Sequence, residues 1–179
     1  IKCTWAQDPL LEGNLKAVTS KNALPARFSD NATTNIKYFD IGQGLGNSYV
    51  QSITEAPDGS LWFGTNGNGV AIFDGGSFYY LTEDQGLSSN MIRDVLFDSR
   101  QRIWIATSNA GLCMIEGNKI TNFTSLNGLP TDNLLCLAED RSGNILIGTN
   151  GSGLCVYNDV SILTYCKEQG LGGEITTIY

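Results

Sequence analysis

Residues 58–69 read DGSLWFGTNGNG, and related stretches return as RQRIWIATSNAG over residues 100–111 and SGNILIGTNGSG over residues 142–153. Each copy follows the previous one by 42 residues, with no insertion or deletion between them. A Gly-Leu dipeptide keeps the same interval and begins at Gly44, Gly86, Gly128 and Gly170. A period of about 40 to 50 residues is typical of propeller blades and of other repeated structural units.

Each unit contains four short hydrophobic runs separated by turn-forming residues. In the first unit the runs cover residues 49–55, 61–65, 70–73 and 78–82. The segments between them are rich in Gly, Asn and Asp, which tolerate the positive φ of tight hairpin turns. No window has the three-and-four spacing of apolar residues that an amphipathic helix requires. The pattern predicts an all-β protein, namely a β-propeller built from four-stranded antiparallel blades.

The 42-residue period also divides the chain. Residues 1–35 break the period and are interpreted as a lead-in, either the end of a signal peptide or an ordinary N-terminal extension. The remainder, residues 36–179, is predicted to be a partial propeller with these parts: an outer strand at 36–42, blades at 43–84, 85–126 and 127–168, and the first strand of a further blade at 169–179. Closed propellers have about four to eight blades. The ring is therefore completed by further blades or by other copies of the chain, unless the chain forms an open arc.

Composition limits the partners. The chain of 179 residues has 11 Lys and Arg against 18 Asp and Glu, so its net charge is -7. The basic residues are scattered, whereas nucleic-acid binding requires a basic cluster that neutralises phosphates. No apolar run approaches the roughly 18 residues of a membrane span. These features argue against a nucleic-acid partner and against a span within this chain.

The sequence also argues against metal and acid–base chemistry. It contains no His, and its five Cys include no Cys-x-x-Cys pair, so no zinc-site spacing is present. Because the chain has no His, catalytic Ser-His-Asp and Cys-His arrangements are also excluded. Acidic residues at turns, such as Asp58, Asp98 and Asp140, are interpreted as hairpin caps. We therefore predict no catalytic residues, no metal and no cofactor, and we expect Cys113 and Cys155 to be buried thiols.

Two tryptophans keep the repeat register. Trp62 and Trp104 lie in the second hydrophobic run of the first and second units, and Leu146 lies at the equivalent position of the third unit. Large aromatic residues are mostly packing elements, so both are interpreted as core between blades. Ligand stacking on one of them is the alternative.

At these residues the chain resembles a known family. Residues 58–70 followed by Gln85-Gly86-Leu87-Ser88-Ser89-Asn90 resemble the two-component regulator propeller repeat, with further copies around residues 104–107 and 147–154. The resemblance covers residues 36–179. The third copy departs from the pattern at Leu146, and the second carries Arg100-Gln101-Arg102 where the turn usually has Gly.

The resemblance implies a function. The repeat builds periplasmic sensor domains of Bacteroides-type hybrid two-component systems, so the chain is expected to be the N-terminal part of such a sensor. It would recognise glycan-derived oligosaccharides and pass the signal to a histidine kinase module of a full-length protein anchored in the inner membrane. One alternative is a protein-docking or structural propeller. Another is a propeller lyase similar to the streptogramin-inactivating type, but that family relies on a catalytic His, which this chain lacks.

Hairpin geometry predicts where a ligand would bind. The turns between second and third strands emerge on the same face as the connections between blades, and such loops carry specificity. Short amides and hydroxyls with an aromatic face suit sugar hydroxyls. Turn geometry alone is the alternative reason for these residue types. The candidate ligand-binding residues are Asn47, Tyr49, Asn66, Asn68, Asn90, Arg93, Ser108, Asn109, Asp132, Asn133, Asn150 and Ser152.

Overall fold

The computed structural model describes residues 19–22, 27–28, 37–46 and 49–178, and its strands are numbered β1 to β15 along the chain. The first three strands are short: β1 (Thr19–Asn22), β2 (Arg27–Phe28) and β3 (Lys37–Tyr38). The other twelve form three antiparallel meanders, which we call blades 1, 2 and 3.

Each blade contains four consecutive strands. Blade 1 consists of β4 (Val50–Glu55), β5 (Leu61–Thr65), β6 (Val70–Phe73) and β7 (Ser77–Leu81). Blade 2 consists of β8 (Ile92–Phe97), β9 (Ile103–Thr107), β10 (Leu112–Glu116) and β11 (Lys119–Phe123). Blade 3 consists of β12 (Leu134–Glu139), β13 (Ile145–Thr149), β14 (Leu154–Tyr157) and β15 (Ile162–Tyr165). Neighbouring strands pair in chain order, which confirms the predicted four-stranded antiparallel blades.

The first sheet has an additional strand that the sequence did not predict. Strand β1 pairs antiparallel with β7, with Thr19 opposite Tyr80 and Asn22 opposite Ser77, so the sheet of blade 1 has five strands. Strand β7 would otherwise present an unpaired outer edge, and β1 covers its backbone groups. The sequence of β1, Thr-Ser-Lys-Asn, has no hydrophobic alternation, so no pattern revealed it within the lead-in.

The two ends of the predicted propeller region also differ in detail. Within 36–42, strand β3 covers only Lys37–Tyr38 and pairs with β2, and a 3-10 helix follows at Ile41–Gln43. In 169–179, residues 170–178 form no strand; Glu174 makes a single bridge to Asn150. First strands of the three blades pair with the second strand of their own blade, and residues 170–178 have no such partner among the described residues. That 36–42 completes a blade, and that 169–179 begins one, stay predictions.

The repeated Gly-Leu dipeptide turns the chain into each blade. A 3-10 helix at Glu83–Gln85 ends at Gly86, whose φ of 116° lies in the left-handed region that favours glycine. The amide of Leu87 then donates to the carbonyl of Thr82. The Leu87 side chain is 5% exposed and packs between blades 1 and 2. A further 3-10 helix, at Lys167–Gln169, ends at Gly170 in the same way.

Hydrophobic clusters fill the spaces between blades. Between blades 1 and 2, Trp62 packs with the buried residues of β8 and β9, and its ring meets Phe97 edge-on with centroids 5.0 Å apart. Between blades 2 and 3, Trp104 is fully buried against Leu137 and Ile147. A third cluster, which includes Leu45 and Phe63, covers the other side of blade 1. Both tryptophans are core residues between blades, as predicted. Cys113 and Cys155 are buried free thiols in the same clusters.

First strands of adjacent blades pack against one another. Strand β8 contacts both β4 and β12, and the Thr54 hydroxyl donates to the Val95 carbonyl across the first of these contacts at 2.7 Å. The first strand is thus the innermost strand of each blade. A bulge in each of these strands, for instance between Ile92 and Asp94, bends it near its start.

The turn between second and third strands has the same geometry in every blade. In blade 2 the Thr107 hydroxyl, fully buried, donates to the Gly111 carbonyl at 2.8 Å and accepts from the Ala110 amide at 3.0 Å. Gly111 has a φ of 75°, and a β-carbon there would overlap the carbonyl oxygen of Phe123. Thr65 with Gly69, and Thr149 with Gly153, repeat this arrangement. The period of Thr and Gly in the sequence therefore encodes one turn.

At the end of the blades opposite these turns, side chains close the junction between blades 2 and 3. The buried Asp98 carboxylate accepts from Arg102 Nε at 2.6 Å and from Trp104 Nε1 at 2.8 Å. Arg102 also pairs with Asp159 of blade 3, which Arg100 contacts as well. Burial by itself would raise the pKa of Asp98, but the hydrogen bonds from Trp104 and Arg102 and the charge of Arg102 outweigh it and lower that pKa.

We expect Gly111→Ala to lower the free energy of unfolding far more than Gly75→Ala. Both glycines have positive φ, which costs an alanine about 1–2 kcal/mol, but nothing lies within 4 Å of a β-carbon at Gly75. At Gly111 the overlap with Phe123 adds to that strain, for a total loss of roughly 3 kcal/mol or more. Urea unfolding of the two variants measures the difference. Equal losses would contradict the close approach at this turn.

Arg102→Met should destabilise the chain by about 3–5 kcal/mol at pH 7, because it leaves Asp98 buried without its cation. The loss should shrink below pH 5. In the native chain the lowered pKa of Asp98 provides stability above its unfolded value of about 3.9, and this stability is lost as pH falls through the folded pKa. Removing the guanidinium takes away its hydrogen bond and its charge, so the pKa of Asp98 should be higher in the variant than in the native chain, and protonation should relieve the variant. Urea unfolding at both pH values tests this, with the exposed Arg141→Met as control; a pH-independent loss would contradict it.

Candidate functional site

The turns between second and third strands and the connections between blades lie at one face of the blade stack, which we call the rim. Backbone hydrogen bonds join the two sets of loops across each junction. The amide of Gly69 donates to the carbonyl of Asn90 at 2.9 Å, and the amide of Gly111 donates to the carbonyl of Asp132 at 3.0 Å. Gly153 donates to Gly173 in the same manner. We call these three bonds the rim latches.

A second set of bonds ties each turn to the start of its own innermost strand. The amides of Asn66, Ser108 and Asn150 each donate at 3.0 Å to a carbonyl, and the acceptors are those of Tyr49, Met91 and Asn133 respectively. The structure therefore brings together the two sets of candidate residues that the sequence placed in separate loops.

Several candidate side chains are engaged in holding the rim itself. Asn68 Nδ2 donates to the Gly46 carbonyl at 3.1 Å, and Asn109 Oδ1 accepts from the Ser89 hydroxyl at 2.8 Å. Asn90 Oδ1 accepts from the Glu83 amide, and both oxygens of Asp132 accept from Ser125. These bonds give the residues a role in loop geometry, which is the alternative that the sequence left open. Ser152 is half-buried, and its amide donates to the hydroxyl of Thr149.

Other candidates face solvent or carry unpaired atoms. Tyr49 is 69% exposed, and Asn66 of blade 1 and Asn150 of blade 3 are also exposed. Ser108 is half-buried. Arg93 Nε and Asn133 Oδ1 are buried atoms with no hydrogen-bond partner in the part of the chain that the structure describes. Asn47 lies outside the described residues.

Two further residues belong to the rim, and one of them, Asp94, was missed from sequence. Met91, 39% exposed, occupies the repeat position of Tyr49 and Asn133 and so belongs to the same inner set. Asp94 lies at the bulge of β8, where its Oδ2 accepts from the Leu137 amide of blade 3 at 2.8 Å. Burial raises the pKa of Asp94, against the effect of the amides of Leu137 and Val95. The 42-residue interval that relates Asp94 to Ser52 and Cys136 was the available signal.

Four residues at the rim combine several kinds of side-chain chemistry. We define the inner ring as Tyr49, Met91, Arg93 and Asn133, which lie at or near the start of the innermost strands. It offers an aromatic face, a thioether, a cationic donor and an amide acceptor. Over the residues that the structure covers, no group of three or more His, Cys, Asp or Glu side chains is placed to hold a metal ion. Nor does any helix there have the length and apolar character to span a membrane.

Comparison with known families identifies the repeat. Residues 44–67, 86–109 and 128–151 each match the two component regulator propeller family. Each matched segment runs from the Gly-Leu dipeptide, through the innermost strand and the second strand, to the turn at the rim. No curated protein sequence matches the chain significantly.

Solved structures share the fold. The extracellular domain of the hybrid two component system BT3049 from B. thetaiotaomicron is 26% identical over 78% of this chain, with a TM-score of 0.68, and the chain covers 20% of it. The extracellular domain of the B. thetaiotaomicron system BT4673 is 22% identical over 70% of the chain, with a TM-score of 0.55 and 20% covered. The chain thus spans about a fifth of these relatives.

A streptogramin B lyase shares the architecture more distantly, at 16% identity over 83% of this chain and 45% of its own, with a TM-score of 0.56. That likeness concerns the fold alone. The period, the blade geometry and the family match agree with one another and confirm the resemblance noted in the sequence. We conclude that three segments of the chain match the two component regulator propeller family and that each of these segments forms the inner half of one blade.

Proposed function

We propose that the chain is part of an extracytoplasmic sensor of a two-component system and that it binds a glycan-derived oligosaccharide at the inner ring, without transforming it. The observation that carries the proposal is the inner ring itself: it has an exposed aromatic side chain on blade 1, and on blades 2 and 3 it has two buried hydrogen-bonding atoms that have no partner among the described residues. The similarity to the extracellular domain of a hybrid two component system supports the sensory role.

The inner ring matches the chemistry of a sugar. A pyranose presents apolar C–H groups on its faces and hydroxyl groups around its edge. The exposed Tyr49 ring can stack against such a face, as aromatic side chains do at wet interfaces. Arg93 Nε can donate to a hydroxyl oxygen, and Asn133 Oδ1 can accept from a hydroxyl. Satisfying these buried atoms would stabilise the bound state, because an unpaired buried polar group costs about 1–3 kcal/mol.

The backbone of the rim is held in place before any ligand arrives. The carbonyls of Tyr49, Met91 and Asn133 already accept bonds from the turns, and the rim latches of Gly69 and Gly111 join adjacent blades. A surface fixed in its bound conformation loses little conformational entropy on binding. The repeat therefore supplies a rigid platform, and the side chains of the inner ring supply specificity.

The sensor proposal places the chain within a longer protein. In it, the remaining blades would complete the propeller and a histidine kinase module would receive the signal across the inner membrane, with the chain in the periplasm. Blade 3 supports the need for a neighbour. Its outward side, which we call the trailing face, carries Leu146, Leu154, Val156, Leu163 and Tyr165. Leu163 and Tyr165 are 48% and 43% exposed.

The equivalent positions in blade 2 are covered. Trp104 and Leu112 match Leu146 and Leu154 in the repeat, and both are fully buried against blade 3. We infer that the trailing face likewise packs against another blade, either the next one of a longer protein or one from a second copy of this chain. An apolar sheet face left in water would favour association.

We expect Tyr49→Ala to weaken oligosaccharide binding at least tenfold, because it removes the exposed stacking surface, which is worth roughly 1–3 kcal/mol. Arg93→Met should weaken binding by a similar factor through loss of its donor. A panel of oligosaccharides from partly hydrolysed polysaccharides identifies a ligand first, and isothermal titration calorimetry then compares the variants with the native chain.

Matched controls separate the inner ring from the rest of the surface. Tyr165→Ala removes an exposed tyrosine from the trailing face, and Arg141→Met removes an exposed arginine from the turn at the opposite end of blade 3. Neither should change affinity. A ligand that binds the Tyr49 and Arg93 variants as tightly as the native chain would place its site elsewhere.

A further inference from the structure

A cleft opens between blades 1 and 2 at the end opposite the rim. Its volume is about 170 Å³. Pro57 and Asp58, from the first hairpin turn of blade 1, form one wall, and Phe97 and Gln101 of blade 2 form the other. Ala56 and Trp62 lie at the floor, where only 2% of the tryptophan surface is exposed. Nothing in the proposed oligosaccharide site involves these residues.

The repeat provides a direct comparison, because the same position exists between blades 2 and 3. There the walls are bridged: the Ser99 amide donates to Glu139 at 2.8 Å, and the Ser99 hydroxyl donates to the same carboxylate at 2.5 Å. Behind the bridge, the Arg102 guanidinium lies 5.0 Å from the centre of the Trp104 ring. The second junction is thus closed by side chains of the chain itself, with a guanidinium group among them.

The first junction cannot close in this way. Pro57 takes the place of Ser99 and has no amide hydrogen, and Phe97 takes the place of Glu139 and has no acceptor. Ser60 stands where Arg102 would be. The cleft is therefore open because Pro57 and Phe97 cannot form the hydrogen bonds that bridge the walls of the second junction.

The carboxylates of the second junction are missing from the first as well. Ala56 and Gly117 replace Asp98 and Asp159, and the shared backbone conformation confirms the second equivalence, with φ of 57° at Gly117 and 67° at Asp159. In their place, Asp58 stands where blade 2 has Arg100. The charge of the hairpin turn is thus reversed from positive to negative.

The open walls have a definite chemistry. Asp58 is held in place, since its Oδ1 accepts from the amide and the hydroxyl of Ser60 at 2.9 and 2.7 Å. It supplies negative charge in a chain whose net charge is -7. Phe97 and Pro57 supply apolar surface, and a cation is attracted to the face of an aromatic ring. A guanidinium is planar and weakly hydrated, and it combines ion pairing with packing on such a surface.

We propose that this cleft binds a guanidinium group on a short alkyl chain. The alkyl part lies against Pro57 and Phe97, and the charged group pairs with Asp58. In the next junction the Arg102 guanidinium lies at the matching end of the blades, so the chain contains a precedent for a guanidinium there. Arg102 pairs with Asp98 and Asp159, whereas the occupant of the cleft pairs with Asp58. The group comes either from a free alkylguanidine or from an arginine side chain of a peptide.

The direct test is a titration of the chain with ethylguanidinium, followed by calorimetry and by the NMR signals of Phe97. We expect saturable binding that falls at least tenfold in Asp58→Asn, a change that keeps an oxygen for the Ser60 bonds. Asp84→Asn, which removes an exposed carboxylate at the rim, should leave affinity unchanged. Ethylurea has nearly the same shape without the charge and should not bind. Equal binding of ethylurea, or an unchanged affinity in Asp58→Asn, would overturn the proposal.

A second variant tests the internal precedent. Ala56→Asp combined with Ser60→Arg rebuilds the Asp98 and Arg102 pair of the next junction inside the cleft. We expect this double variant to remain folded, as judged by circular dichroism, and to lose ethylguanidinium binding because its own guanidinium fills the site. If the folded variant binds as the native chain does, the proposal is wrong.

The two sources of the group are separated by a final comparison. A capped pentapeptide with a central arginine, and its matched peptide with a central citrulline, are titrated beside ethylguanidinium. Tighter binding of the arginine peptide than of ethylguanidinium assigns the cleft to a protein partner. Binding of ethylguanidinium with none of the peptide assigns it to a free alkylguanidine. Equal binding of the arginine and citrulline peptides would again contradict the requirement for charge.

Discussion

Each blade is apolar on both of its faces, and this constraint determines most of the structure. In β9 all five residues are buried, so the strand lacks the alternation of a sheet with one face in water. Trp104 points towards the following blade, whereas Ile103 and Ile105 point towards the preceding one. A sheet of this kind is stable only between two neighbours, and a stack of blades is the arrangement that provides them.

The rim and the opposite end of the blades hold neighbouring blades together in different ways. At the rim, backbone groups join the blades, and the rim latches recur with nearly the same length in every repeat. At the opposite end, side chains join the blades, and they differ between junctions: Asp98, Arg102 and Asp159 close one, while Pro57 and Phe97 leave the other open. Backbone contacts tolerate sequence change and keep the frame constant. Side-chain contacts vary, and each variation changes the shape and the charge of that end of the blades.

The sequence predicted the repeating part of the fold closely, because each blade strand has a hydrophobic run and nearly every turn has a glycine or asparagine; the turn at Arg100-Gln101-Arg102 is an exception. The runs at 61–65 and 70–73 coincide with β5 and β6. Strand β1 could not be predicted, since its pairing depends on the open edge of β7 and its own residues are polar. The roles of Asn68 and Asn90 were equally hidden, because a turn-forming asparagine looks the same in sequence whether its side chain binds a ligand or a neighbouring loop.

The solution molar mass of the chain tests the requirement for covered faces most directly. Light scattering over a range of concentrations should show self-association of the native chain through the trailing face. Leu163→Lys, on that face, should reduce it, and Leu126→Lys, at a 96% exposed loop residue, should not. A chain that remains monomeric at every concentration, and unfolds cooperatively with equal stability in both variants, would contradict the account, because an apolar blade face would then be stable in water.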